Sequence, residues 1–260
     1  MGQSPRRVVL LLEYDGAGYV GSQLQKGRPT IQSVLEQAIL SCTGEAARAA
    51  FAGRTDAGVH AKGQVGTFET RTRLSNPTLM RALNALLPED VVIRAIRDVP
   101  ADFDVRRAQR RHYRYVIDNR PARPAIARRY AWHVPQPLDV AAMAEAACRL
   151  VGRRDFTAFA SRTGKASTIR RLERFSVTRQ GAWVICDAVA DAFLFRQVRR
   201  MVGALVPVGL GRRSVEEYAA LLHGIPASAG PAAPAHGLYL MRVDYEEMSF
   251  EGLDSTGLIC

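Results

Sequence analysis

The sequence predicts an α+β protein made of two pseudo-repeated βαββαβ halves, and three observations lead there. Short apolar runs of strand length alternate with stretches whose apolar residues recur at helical spacing. In the first half the order is strand, helix, two strands, helix, strand, which is the split βαβ, ferredoxin-like unit. The second half repeats that order without residue-level identity, so the duplication rests on element order alone. Two such halves supply about eight strands, expected in one mostly antiparallel sheet with helices on one side and a central cleft on the other.

Taken in order, residues 8–13 (VVLLLE) read as a buried strand ended by the turn pair Asp15-Gly16. After a loop with Gly18, Gly21 and Gly27, a helix carries Ile31, Val34, Leu35, Ala38 and Ile39 on one face. Thr30 is its N-cap and Gly44 its stop. Strand-like stretches at residues 47–52 and 64–70 flank a loop rich in small residues. Ser75 caps a helix with Leu79, Leu83, Leu86 and Leu87, closed by Pro88, and residues 91–97 (VVIRAIR) form the next strand.

Residues 112–117 or 130–134 open the second half. Val140, Met143, Ala147, Leu150 and Val151 mark a helix stopped by Gly152. Residues 174–178 and 183–188 flank Gln180-Gly181, a hairpin turn. A further helix carries Phe195, Val198, Met201, Val202 and Leu205 on its apolar side. Ser214-x-x-Glu217 makes a capping box for a short helix ending at Gly224. Residues 238–245 form the last strand, and residues 246–260 read as a loose tail. Residues 118–137, with Pro121, Pro124, Pro135 and Pro137, connect the halves. The expected division is an N-terminal half, residues 1–110, and a C-terminal half, residues 111–260.

A chain of 260 residues buries enough surface to fold without staples. Its 36 Lys and Arg against 25 Asp and Glu give a net charge of +11, which favours a polyanionic partner. Only Lys26, Lys62 and Lys165 are lysines, so an Arg-biased composition explains part of the excess. Cys42, Cys148, Cys186 and Cys260 lie far apart, which suits reduced thiols and argues against a disulfide scaffold or zinc. The five histidines show no metal-ligand spacing. No apolar run approaches the length of a membrane span, and no signal-peptide core follows the first residues. A cytoplasmic protein with no metal and no membrane contact is expected.

Gly53-Arg54-Thr55-Asp56-Ala57-Gly58-Val59-His60-Ala61 stands out. It sets a cation and a carboxylate two residues apart in a loop whose small residues let a bulky substrate approach. Taken alone, Asp56 could equally cap a turn and Arg54 could be a surface charge. In the strand near residues 111–117, Arg111, Tyr113, Tyr115 and Ile117 share one face. Both tyrosines read equally well as half-buried strand residues. Residues 104–129 contain nine Arg and two Asp, a local excess of +7. Arg196, Arg199 and Arg200 follow the apolar side of the later helix and, with Arg111, make candidates for a phosphate-binding track.

The nine-residue loop is similar to the active-site motif of the tRNA pseudouridine synthase A family. The resemblance runs along nearly the whole chain. It takes in Glu13-Tyr14-Asp15-Gly16, Tyr19-x-Gly21-x-Gln23, Gly63-Gln64-Val65 and Phe68-Glu69-Thr70. Further on it takes in Asn84-x-x-Leu87-Pro88, Arg111-x-Tyr113-x-Tyr115, Asp155-Phe156-Thr157-x-Phe159, residues 193–203 and Gly237-Leu238-Tyr239-Leu240. Ser22 stands where the family commonly has Trp.

This resemblance implies an isomerase that turns uridine into pseudouridine at positions 38, 39 and 40 of the tRNA anticodon stem-loop, as a homodimer and without a cofactor. Asp56 would be the nucleophile, attacking C6 of the base or C1′ of the ribose. The glycosidic C–N bond breaks and the uracil is reattached through C5. The target base must leave its stack for a closed pocket. Burial favours a neutral carboxyl and a cation at contact distance restores the anion, a role open to Arg54. A phosphate contact is its other reading. Tyr113 would stack on the extruded base or move a proton. A catalytically inactive RNA-binding protein of the same fold is the alternative. A hydrolase using Asp56 and His60 lacks a nucleophilic Ser elbow or metal-ligand spacing.

Overall fold

The computed structural model describes residues 4–161, 167–246, 248 and 250. The tail expected over residues 246–260 therefore falls almost wholly outside the described residues, as do Cys260 and Lys165. The described residues form an α+β chain with five α-helices and ten strands in one mixed, mostly antiparallel sheet. In chain order these are β1 (Arg6–Tyr14), α1 (Ile31–Thr43), β2 (Ala50–Phe51), β3 (His60–Thr70), α2 (Asn76–Leu86) and β4 (Val91–Val99). Then come β5 (Arg110–Asp118), β6 (Trp132–His133), α3 (Val140–Arg149), β7 (Gly152–Asp155), β8 (Ile169–Gln180) and β9 (Trp183–Ala190). Last are α4 (Gln197–Gly209), α5 (Val215–Ala220) and β10 (Leu238–Asp244). Among the described residues, no helix is long and apolar enough to cross a membrane.

Two compact units divide the chain. The first holds residues 1–109 together with the segment from Leu240 onward, and the second holds residues 110–239. In the first, strands run in the order β4-β1-β3-β10. Lying between β3 and β4, β1 has its apolar run from Val8 to Leu12 at most 3% exposed. Ile31, Leu35 and Ile39 of α1 and Leu79 and Leu83 of α2 are buried as well. Thr30 and Ser33 form a reciprocal capping box at 3.0 and 2.9 Å, and Gly44 takes φ +73° as the left-handed C-cap. Asn84 ties α2 to β4 by bonding both the N–H and the carbonyl of Ile93 at 2.8 Å.

In the second unit the order is β5-β9-β8-β7. The β8–β9 hairpin turns at Gly181, whose φ of +59° suits glycine. Helix α3 packs on β8 and on α4, and α5 packs on α3 and α4. Phe156, Phe159 and Tyr218 fill the core in tilted and edge-on contacts. Ser214 and Glu217 form the capping box of α5.

Several expectations need correction. Ten strands are present because both alternatives for the strand opening the second half form, as β5 and β6, and because β7 escaped the reading; the parallel β5–β6 pair makes the sheet mixed. Gly152 does not stop α3, which ends at Arg149 with Leu150 as its C-cap; with φ +116° it opens β7. Phe195 is 47% exposed and lies before α4, outside its apolar face. Arg196, expected within that helix, is its N-cap.

Candidate active site

The nine-residue loop joins β2 to β3 in the first unit, and hydrogen bonds to buried side chains hold it on both sides of Arg54. Gln64, fully buried on β3, donates Nε2 to the Gly53 carbonyl at 2.7 Å and accepts the Gly53 N–H on Oε1 at 3.4 Å. Thr55 is gripped three ways. Its N–H donates to Ser22 Oγ at 2.9 Å, its carbonyl accepts the Ser22 N–H at 3.1 Å, and its hydroxyl lies 2.9 Å from the Tyr14 hydroxyl. Gln64 Nε2 also reaches the Tyr14 hydroxyl at 3.3 Å, closing the network. Burial pushes the Tyr14 phenol up to about 12, against the lowering effect of its bonds to Thr55 and Gln64. It stays protonated and available to both partners.

Beyond Thr55 the chain turns tightly. The Val59 N–H donates to the Asp56 carbonyl at 3.1 Å, and Gly58, at φ +78°, donates to the Tyr19 carbonyl at 3.3 Å. Gly16 is packed so closely under this turn that a Cβ on it would stand 2.0 Å from the Val59 carbonyl oxygen. Buried His60 follows, with Nδ1 3.2 Å from the Gly16 nitrogen and 3.0 Å from Asp15 Oδ1. A neutral ring accepts from Gly16, whereas an imidazolium pairs with Asp15.

These contacts present Asp56 half-buried on a fixed turn, and Arg54 exposed. Arg54 makes no hydrogen bond or ion pair among the described residues, so the structure does not bring it onto Asp56. A cavity of about 640 Å³ opens at the other end of β3, lined by Arg7, Arg48, Thr67 and Arg71 among others, and includes no residue of the loop.

Tyr113, Arg111, Arg196, Arg199 and Arg200 all lie in the second unit. Tyr113 is 8% exposed on β5, opposite Ala188 of β9. Its ring meets Phe193 edge-on at 5.2 Å, so the phenol is fixed by packing. Arg111 donates Nη1 to the Asp191 carbonyl at 2.6 Å. Arg196 adopts the left-handed conformation, φ +63°, with its guanidinium 4.9 Å from the Phe195 ring. A non-glycine residue there stores backbone strain. Arg199 donates Nε to the Ala233 carbonyl at 2.7 Å. Arg200 donates Nε to Ser161 Oγ at 3.0 Å and Nη1 to the carbonyls of Ala227 and Gly230 at 3.0 and 2.5 Å. Burial, then the charge of Arg196, lowers the basicity of Arg200. Both helical arginines thus spend donors on the main chain of the loop at residues 227–233.

Sequence reasoning gave Ser22, Tyr14 and Gln64 no role, although all three sit within stretches it quoted. Their signal is a side-chain polar group in a buried setting, and burial is what the sequence alone does not display.

A family profile described as tRNA pseudouridine synthase matches residues 11–106 and 146–246. A tRNA pseudouridine synthase A of Roseiflexus sp. (strain RS-1) is 45% identical over 257 residues, covering 97% of this chain and 93% of the relative. Another, from Rhizobium meliloti (strain 1021), is 46% identical over 92% of this chain and 99% of its own length. A third, from Thermoanaerobacter sp. (strain X514), is 40% identical over 92% of this chain and all of its own.

Proposed function

The chain belongs to the tRNA pseudouridine synthase A family, and from that premise we propose that it isomerises uridine to pseudouridine in tRNA, at positions 38, 39 and 40 of the anticodon stem-loop. The observation that carries the reading is the clamped loop, which fixes the backbone on both sides of Arg54 and holds Asp56 at the end of a rigid turn. A carboxylate held this way is preorganised for attack on one atom of an extruded nucleotide. Asp56 attacks, the C–N bond to the ribose breaks, and the same uracil rejoins through C5. The reaction is an isomerisation with no change of redox state, and we assign it no cofactor or metal.

Arg54 serves as a phosphate contact beside the extruded nucleotide, because its guanidinium stays exposed rather than turned onto Asp56. Tyr113 supplies a face or a hydroxyl to the base. Arg111, Arg196, Arg199 and Arg200 form part of the track for the RNA backbone, the last two chiefly by shaping the loop they hold. The two halves are read as pseudo-repeated βαββαβ units with helices on one side and a central cleft, a reading supported by the shared element order. A cytoplasmic location follows from the tRNA substrate.

The active assembly is a homodimer in which one tRNA touches both subunits. A 28.5 kDa subunit is small beside a tRNA, and a two-fold assembly extends the basic surface. Mixing Asp56→Ala subunits with subunits lacking the phosphate-contacting arginines restores partial activity through heterodimers. A fully active monomer in sedimentation, without complementation, rules the dimer out.

Tritium release from uridine-labelled tRNA by the purified protein tests the activity. Mapping pseudouridine in tRNA from cells lacking the gene then locates the positions. Binding of tRNA without tritium release would leave an RNA-binding protein of the same fold.

A further inference from the structure

The edge of the second unit's strand order carries a charge pattern that neither the Asp56 loop nor Tyr113 uses. Strand β7 ends that order, with β8 beside it. Their register sets Arg153 opposite Arg171 and Arg154 opposite Arg170. Successive side chains point to opposite faces, so one pair occupies each face of the edge. Arg153, Arg154 and Arg171 are exposed and Arg170 is half-buried.

Like charges directly opposite one another destabilise a sheet. The nearby carboxylates do not relieve this. Asp155 accepts from the N–H and hydroxyl of Thr157, Asp191 Oδ1 accepts from the N–H groups of Arg171 and Ala192, and Glu173 pairs with Arg110. Arg170 turns Nη1 onto the carbonyls of Ser167 and Ile169 at 2.9 and 2.7 Å, and its buried Nε has no acceptor. Among the described residues, none of the four guanidinium groups makes an ion pair. Edge strands are commonly guarded by charge against pairing with another strand. Opposite signs would guard this edge equally well without the mutual repulsion, so guarding alone leaves the pattern unexplained.

We propose that the β7–β8 edge is an RNA-binding surface that grips the sugar–phosphate backbone of the tRNA substrate. The identity of that substrate rests on the function proposed above. Strands lie roughly 5 Å apart, so the two arginines of each pair converge on a narrow ridge on their own face. Each guanidinium fork can take two phosphate oxygens, and a polyanion seated there turns the repulsion within each pair into shared attraction. Contacts of this kind carry no sequence information. The edge therefore positions the tRNA and does not select the uridine.

The test measures the affinity of the full chain for an unmodified tRNA transcript from roughly 50 to 200 mM salt. Replacing Arg153 and Arg171 together by Ala lowers the slope of log Kd against log salt by about one to two units, and weakens low-salt binding roughly tenfold or more. The same pair replaced by Lys keeps the slope. Because the repulsion is removed, the Ala variant melts at or above the wild-type temperature while binding RNA less tightly, an opposition that a structural role does not produce. Unchanged affinity and slope overturn the proposal. Self-association of the Ala variant with unchanged RNA binding does so too, assigning the arginines to edge protection. A wild-type protein that binds tRNA through this edge but forms no pseudouridine ends the enzymatic reading and leaves the surface standing.

Discussion

Ser22 and Thr55 hold each other by a reciprocal pair of bonds, the Thr55 N–H on Ser22 Oγ at 2.9 Å and the Ser22 N–H on the Thr55 carbonyl at 3.1 Å. The pair joins residues 33 positions apart, and Ser22 is fully buried. A side chain with no hydrogen-bonding oxygen would leave the Thr55 N–H buried and unpaired. Ser22→Ala therefore costs about 1–3 kcal/mol of stability in chemical denaturation. It also lowers kcat with KM nearly constant, because the fault lies under Asp56 and not in the RNA contacts. Wild-type kcat in Ser22→Ala would separate the clamp from catalysis.

Asp56→Asn preserves shape and removes the nucleophilic carboxylate, so pseudouridine formation is lost while tRNA affinity stays within severalfold of wild type, phosphate contacts supplying most of the binding. Substantial turnover by this variant, with deamidation excluded by mass spectrometry, would remove Asp56 from the chemistry. Arg54→Ala raises KM and leaves kcat nearly unchanged. The reverse pattern would give Arg54 the carboxylate-orienting role instead.

Tyr113→Phe and Tyr113→Leu separate the ring from the hydroxyl. If stacking matters, Leu loses roughly 1–3 kcal/mol of base binding that Phe retains. If the hydroxyl moves a proton, Phe binds tRNA normally and stalls after attack. Wild-type kinetics in both would leave Tyr113 a packing partner of Phe193.

Asp118 makes a pH prediction with a definite sign. It is fully buried at the end of β5, and Arg120 engages both its oxygens, Nε at 2.9 and 3.2 Å and Nη2 at 2.6 Å. These bonds hold its carboxyl below the usual range despite the opposing effect of burial. The folded state thus releases this proton more readily than the unfolded chain does. The stabilisation is present above the unfolded value of about 3.9 and is lost as pH falls through the lower folded value. Urea midpoints measured across that acid window fall less steeply in Asp118→Asn than in wild type. Parallel curves would show that another carboxylate governs the acid limb.

Much of the architecture was legible because local chemistry decides it. Thr30 and Gly44 delimit α1, Ser214 and Glu217 start α5, and Gly181 turns the β8–β9 hairpin, each through contacts within a few residues. Strand β7 was not legible, since Gly152-Arg153-Arg154-Asp155 has neither apolar alternation nor β-branched residues. Pairing with β8 alone makes it a strand. The Asp56 loop was legible as a motif, but its support was not. Ser22, Tyr14 and Gln64 converge on it from separate stretches of chain, and periodicity says nothing about such meetings. Arg199 and Arg200 looked like exposed cations for the same reason, the carbonyls they bind lying about 30 residues downstream.

The first unit's strand order ends in β10, which the chain reaches only after the whole second unit. Gly63 of β3 lies so close to β10 that a Cβ there would stand 2.3 Å from the Met241 carbonyl oxygen. During synthesis, β3 therefore emerges from the ribosome without that neighbour and waits for some 170 residues to be translated. At about 5–20 residues per second the delay is on the order of ten seconds or more. The open edge belongs to the strand at whose base the Asp56 loop is anchored through Gln64. Activity in a nascent chain accordingly appears only once β10 has left the ribosome, and ribosome-bound chains stalled before Leu240 depend on chaperones to keep that edge from pairing elsewhere.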